Sequence, residues 1–127
     1  MLKLRQIEQR IMAKGKVDSP ELEVLREQLY AGGNIDRERA DFLVELHKRV
    51  QPRTPAFENF FYKAIKDHIL ANGRIDAAEA EWLRRMIFSN GKIADEDRQL
   101  LHELRGEAKD VSHDFERLFA EAMKQPP

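Results

Sequence analysis

Apolar residues return along this chain at the spacing of helices. Leu22, Leu25 and Leu29 form one set, Phe42, Leu43 and Leu46 a second, and Phe57, Phe60, Phe61, Ala64 and Ile65 a third. Ala80, Leu83 and Ile87, then Leu100, Leu101 and Leu104, then Phe115, Leu118 and Phe119 continue the series. Steps of three and four residues put each set on one face of a helix, with polar residues on the other. The pattern predicts helix throughout, over about 2–13, 19–31, 37–50, 55–71, 77–89, 95–106 and 112–123.

Glycine punctuates these segments. Gly15, Gly33, Gly73 and Gly91 stand in AKGKVD, GGNID, ANGRID and SNGKIA. Each follows an apolar helical stretch, where a left-handed C-terminal residue would end the helix. Val17, Ile35, Ile75 or Ile93 comes next and can pack inward. Asp18, Asp36 and Asp76 then offer a carboxylate to the free N–H groups of the next helix. Glu21 and Glu79 sit three residues on and complete a capping box. Pro20 suits a first helical turn. In the fourth turn Ala94 stands at the cap position, and Asp95 is expected to take over.

The phrases are not independent. A shift of 58 residues lays Ile7, Ile11, Ala13, Gly15, Asp18, Glu21, Glu23, Leu25 and Arg26 on identical or equivalent residues from Ile65 to Arg84. Gly33, Ile35, Glu38, Leu43, Glu45 and Leu46 fall on Gly91, Ile93, Glu96, Leu101, Glu103 and Leu104. An internal repeat follows, with copies at about 7–53 and 65–111. The connector QPRTP at 51–55 supplies Thr54 as a cap and Pro55 as a first helical residue. It is short, so residues 1–127 read as one all-α domain, with both copies sharing a core. The KQPP tail is expected to fray.

Composition narrows the function. Hydrophobic residues make up 42% and charged residues 35%, a balance that suits well-solvated helices. The net charge of -1 provides no broad positive field for nucleic acid or anionic membrane. Arg84-Arg85 and Lys48-Arg49 are too sparse, and too balanced by acids, to change this. No stretch approaches a membrane span. The first ten residues, MLKLRQIEQR, carry charges too often for a signal peptide. The chain has no cysteine, which excludes disulfides and thiolate catalysis and fits a reducing compartment. The expected location is the cytoplasm.

The glycine phrases have some look of calcium loops. Such a loop needs oxygen ligands at positions 1, 3, 5 and 12 around a glycine at 6. With Gly73 at 6, those positions hold His68, Leu70, Asn72 and Glu79, and only the last fits. Lys14, Lys16, Arg74 and Lys92 add positive charge beside the turns. The turns therefore read as capped connections. Asp18, Glu21, Asp76 and Glu79 are the only carboxylates that come into question for a metal, and no cofactor is expected.

The form small-x-Gly-x-[Ile/Val]-[Asp/Ser]-x-x-Glu, as in AKGKVDSPE (13–21) and ANGRIDAAE (71–79), resembles the tellurite-resistance protein B (TerB-like) superfamily. Weaker copies lie at Gly33 and Gly91. The resemblance implies a compact bundle of seven or eight helices with an internal pseudo-twofold repeat. It also implies links to chemical stress and phage defence, and a metal role proposed for acidic members. The typical member carries Ala-Asp-Gly before the turn, where this chain has Lys14, Gly32, Asn72 or Asn90 in the middle place.

No other motif points to an enzyme. His47, His68, His102 and His113 have no recognised metal spacing. His68, one turn from Ile65, reads as a partly buried or surface histidine. In SHDFE (112–116) the alcohol, imidazole and carboxylates point in different directions, and Ser112 reads as a cap. No glycine-rich phosphate cradle occurs. Trp82 and Met86 lie one turn apart on a line of their own, as core edge or as the anchor of a partner site. Tyr62 points away from its phenylalanine neighbours and could line a groove. The expected function is a non-enzymatic protein-interaction or adaptor module, in bacterial stress response or defence. The alternative is a metal- or oxyanion-binding domain of the tellurite-resistance type.

Overall fold

The computed structural model describes residues 2–31, 33–50, 54–88 and 93–124. Gly32, connector residues 51–53, the fourth glycine turn at 89–92 with Gly91, and the tail beyond Lys124 lie outside the described residues. The fold is all-α. Among the described residues there are seven helices, α1 (Leu2–Lys14), α2 (Ser19–Leu29), α3 (Arg37–Arg49), α4 (Pro55–Ile69), α5 (Ala77–Phe88), α6 (Asp95–Glu107) and α7 (His113–Lys124). Each end falls within two residues of its predicted place. No helix among them is long and apolar enough to cross a membrane.

Contacts divide the chain into two compact units, Met1–His68 and Ile69–Pro127. The division falls in the last turn of α4 and not at the 51–55 connector. In unit 1, α1 packs on α2. Leu25, Leu29, Leu43, Leu46 and Phe57 are among its fully buried side chains. In unit 2, α7 packs on both α5 and α6. Leu83, Leu101, Phe115 and Leu118 are buried there. Burying a side chain of this size contributes about 1.5–3 kcal/mol.

The turns follow their sequence logic. Gly15 and Gly73 have φ of 82° and 79°, the left-handed region where a side chain is strained. The N–H of Gly15 bonds to Ile11 O at 2.8 Å and that of Gly73 to Leu70 O at 2.9 Å. Gly33 also has positive φ. Helix α4 ends at Ile69, short of prediction, because Leu70–Asn72 winds into a tighter single turn before Gly73.

The caps divide into two kinds. Asp36 Oδ1 accepts the Arg39 N–H at 2.9 Å. Asp76 and Glu79 form a full reciprocal box, at 2.8 and 3.1 Å. At α6 the expectation for Asp95 fails. Ala94 holds the cap position, and Asp97, three residues on, accepts the Ala94 N–H at 3.1 Å. Asp95 is already the first helical residue and pairs with Arg98 at 3.2 Å.

One feature lies outside the helical reading. Arg74–Ile75 (β1) pairs in parallel with Asp110–Val111 (β2). Lys109 N–H donates to Gly73 O at 2.7 Å and Ser112 N–H to Ile75 O at 2.8 Å. Ser112 Oγ then accepts the Phe115 N–H at 3.2 Å, capping α7. Fifty-eight residues earlier, Thr54 Oγ1 accepts the Phe57 N–H at 3.2 Å, capping α4, and donates to Val17 O at 3.5 Å. Phe57 and Phe115 are each 0% exposed. The same spacing relates two further pairs. His47 bonds to Glu58 and stacks on Phe61, with ring centroids 3.9 Å apart. Arg105 makes a forked pair with Glu116 at 2.8 and 3.2 Å and lies 5.0 Å from the centre of Phe119.

His68 is buried, at 8% exposure, deeper than the partly buried or surface position expected of it. Its Nδ1 lies 2.7 Å from Ile35 O, and Arg37 Nε donates to its Nε2 at 3.3 Å.

Ser112→Ala removes one cap bond and leaves the backbone bond to Ile75, so it should cost about 1 kcal/mol in urea unfolding. Thr54→Ala removes both bonds of its hydroxyl and should cost more. Equal melts for wild type and both variants would remove these hydroxyls from the account of α4 and α7.

Candidate functional site

In unit 1 the faces of α2 and α4 leave a cleft of about 640 Å³. Helix α2 supplies Leu22 and Arg26, with Tyr30 just beyond its end, at steps of four. Helix α4 supplies Ala56, Asn59, Phe60 and Lys63, at steps of three, one and three. These spacings align one stripe from each helix. The floor is apolar, made by Leu22, Phe60 and the Tyr30 ring, while Arg26, Ala56, Asn59 and Lys63 stand exposed at the rim. Ligand clefts commonly run to roughly 300–1,000 Å³ with this kind of apolar lining and few polar groups.

The wall is braced. The Tyr30 ring meets Phe60 edge-on, with centroids 6.5 Å apart. Its hydroxyl donates to Asp67 Oδ2 at 2.5 Å, and Lys63 Nζ donates to the same oxygen at 3.1 Å. Burial first, and the bond to Asp67 second, raise the Tyr30 phenol well above its ordinary range. Arg26 lies 5.8 Å from the centre of Phe60, within cation–π range. It also makes a single contact of 3.3 Å with Glu23, between exposed side chains.

Unit 2 has a second cleft of about 640 Å³, between α5 and α7. Its lining includes Ala80, Arg84, Asp114, Arg117 and Glu121. At the 58-residue spacing these are Leu22, Arg26, Ala56, Asn59 and Lys63 of the first cleft. The two clefts thus occupy corresponding places with different chemistry. In unit 2, Arg84 makes a forked pair with Glu121, at 2.7 and 2.8 Å, across the opening. The pair raises the Arg84 guanidinium further and holds the Glu121 carboxyl below its ordinary value. In unit 1, Lys63 takes the place of that carboxylate, so two cations face one another and no such bridge spans the groove.

The residues singled out in the sequence lie elsewhere. Glu21 is 2% exposed and accepts Lys14 Nζ at 3.2 and 3.4 Å and the Asp18 N–H at 3.3 Å. Asp18 meets Lys14 Nζ at 3.0 Å. An ammonium group thus sits where the two carboxylates converge. Asp76 and Glu79 are engaged with one another's N–H groups in the α5 cap. Among the described residues no three metal-type side chains gather. Trp82 is 7% exposed and belongs to the buried apolar set. Of the two places the sequence allowed it, that is the core one, and the ring offers a partner little surface. Met86, one turn on, is half-buried. Tyr62 is half-buried in unit 1, edge-on to Phe61 at 5.0 Å and to His47 at 6.2 Å. Neither Trp82, Met86 nor Tyr62 lines either cleft.

No family model matches the chain, and no curated protein or solved structure matches it.

Two outcomes follow from the braces. Tyr30→Phe should remove a phenol that titrates late in alkaline absorbance at 295 nm and cost about 1 kcal/mol of stability. The Arg84–Glu121 pair should stabilise unit 2 only while Glu121 is ionised. Because its folded carboxyl is lowered below 4.5, that contribution is complete above pH 4.5 and fades as pH falls through the lowered value. Glu121→Gln should therefore melt slightly below wild type near neutral pH, with the gap closing in acid. A gap that widens in acid would contradict the pairing.

Proposed function

We propose that the protein is a non-enzymatic interaction module of TerB-like kind, acting in the cytoplasm, and that the α2–α4 groove of unit 1 receives a segment of its protein partner. The observation that carries this reading is the groove itself. It has an apolar floor, a wall fixed by the Tyr30–Asp67 bond, and exposed residues, Ala56, Asn59 and Lys63, along one edge. A buried aromatic floor beneath a polar rim is the usual anatomy of a docking site for an anchoring side chain. The glycine phrases add the setting, since the TerB-like resemblance points to bacterial stress response or defence.

The reading is tested by selecting displayed peptides against the purified protein and mapping the bound peptide by amide chemical shifts. Shifts confined to α2, Tyr30 and the first half of α4 are expected. Ala56→Trp, at an exposed position, should fill the groove and weaken binding at least tenfold with an unchanged melting temperature. Peptides that shift other surfaces and bind Ala56→Trp normally would place the interaction elsewhere.

A further inference from the structure

We propose that the segment taken by the unit 1 groove is an acidic amphipathic peptide, whose carboxylate gives Arg26 the forked partner that Glu121 gives Arg84. The inference rests on the groove reading above and adds the chemistry of the occupant.

Unit 2 displays the completed arrangement within one chain. There an arginine on the first helix of the cleft and a carboxylate on the facing helix bridge the opening at 2.7 and 2.8 Å. The planar guanidinium matches a carboxylate in two parallel bonds, and this geometry is both strong and directional. Unit 1 keeps the arginine at the corresponding place, Arg26, but has reversed the facing charge to Lys63. The exchange has two consequences. It leaves the apolar floor without a bridge across it, and it puts a cation on each side of the opening. Both cations have other contacts, Arg26 with Glu23 at 3.3 Å and Lys63 with Asp67 at 3.1 Å. The Arg26 contact is single and solvent-exposed, the weakest class of ion pair, and a carboxylate arriving from above can replace it.

The floor selects as well as the rim. Phe60, Leu22 and the Tyr30 ring require apolar side chains of the occupant, within one helical turn of its acid. A helical segment with apolar residues at steps of three and four, flanked by Glu or Asp, presents both. A nucleic acid would use the two cations and leave the floor empty.

The test uses the full chain and a set of helix-forming amphipathic peptides that vary in their apolar positions. Each is made in three versions, with Glu, Gln or Lys at the positions flanking the apolar stripe. Binding is read by fluorescence anisotropy at low and physiological salt. The Glu versions should bind at least tenfold more tightly than their Gln counterparts, and the advantage should shrink as salt rises. Lys63→Glu, which gives Arg26 a carboxylate inside the chain, should lower the affinity for Glu peptides at least tenfold and remove most of their advantage over the Gln versions. Equal binding of Glu and Gln versions, lost on Ala56→Trp, would leave the groove a docking site and overturn its acidic preference. If no version binds, or Ala56→Trp has no effect on those that do, the groove reading fails together with this one. Preference for the Lys versions, tighter binding of a short single-stranded DNA than of any peptide, or a dimer in sedimentation that Ala56→Trp abolishes would each overturn the proposed occupant.

Discussion

The carbonyl that follows each described left-handed glycine turn at the head of a unit must find a donor, and that requirement organises the helices. Val17 and Ile75 follow their turns with side chains buried, and the first helical bonds of α2 and α5 go to the carbonyls of the next residues, Asp18 and Asp76. Thr54 takes the Val17 carbonyl through its hydroxyl and Ser112 takes that of Ile75 through its amide. The same two residues cap α4 and α7, and each cap sets a fully buried phenylalanine three residues on. A buried backbone oxygen is costly to leave unmade. Its satisfaction ties a turn near the start of each unit to the helix that ends it.

The clefts depend on this tie. With α4 anchored at Thr54, the face carrying Ala56, Asn59, Phe60 and Lys63 comes opposite Leu22 and Arg26 of α2. With α7 anchored at Ser112, Asp114, Arg117 and Glu121 come opposite Ala80 and Arg84 of α5. The scaffolds match, and the side chains on them have diverged. A leucine and an asparagine in one cleft answer to an alanine and an arginine in the other, and a lysine answers to a glutamate. One opening is bridged by an ion pair and the other carries a cation on each side.

Much of the fold was legible in the sequence because helical period and glycine punctuation are local signals. Apolar steps of three and four place six of the helices, the repeat places α1, and three glycine turns have the positive φ their context implies. What the local pattern does not carry is pairing between distant backbone groups. The two-residue strands Arg74–Ile75 and Asp110–Val111 have no alternation long enough to register, and their bonds join segments some thirty-five residues apart in the chain. Capping at α6 was misassigned because Asp95 and Asp97 are equally acidic, and only the backbone register decides which one reaches the Ala94 N–H. The cleft was overlooked for a different reason. Leu22 and Phe60 look like core residues by spacing, and Leu22 is in fact only half-buried. The signal that could have revealed it was present. Continuing the 58-residue comparison past position 111 aligns Phe57, Glu58, Phe61 and Ala64 with Phe115, Glu116, Phe119 and Ala122. It also exposes the reversal from Lys63 to Glu121. A change of charge at a place facing the unchanged Arg26 and Arg84 is a mark of altered use. Trp82, by contrast, stands with Met86 on a line of its own, and neither that spacing nor its type says which way the ring turns.

The central claim is that the first groove is open to solvent over an apolar floor, while the corresponding cleft in unit 2 is bridged by Arg84 and Glu121 beside a buried Ala80. Methyl NMR with a neutral, soluble paramagnetic probe measures this directly. The methyl groups of Leu22 and Ala56 should broaden strongly as the probe is added. Those of Ala80 and Leu25, at 2% and 0% exposure, should not. If Leu22 proves as protected as Ala80, the groove is closed in solution and the account of its function fails with it.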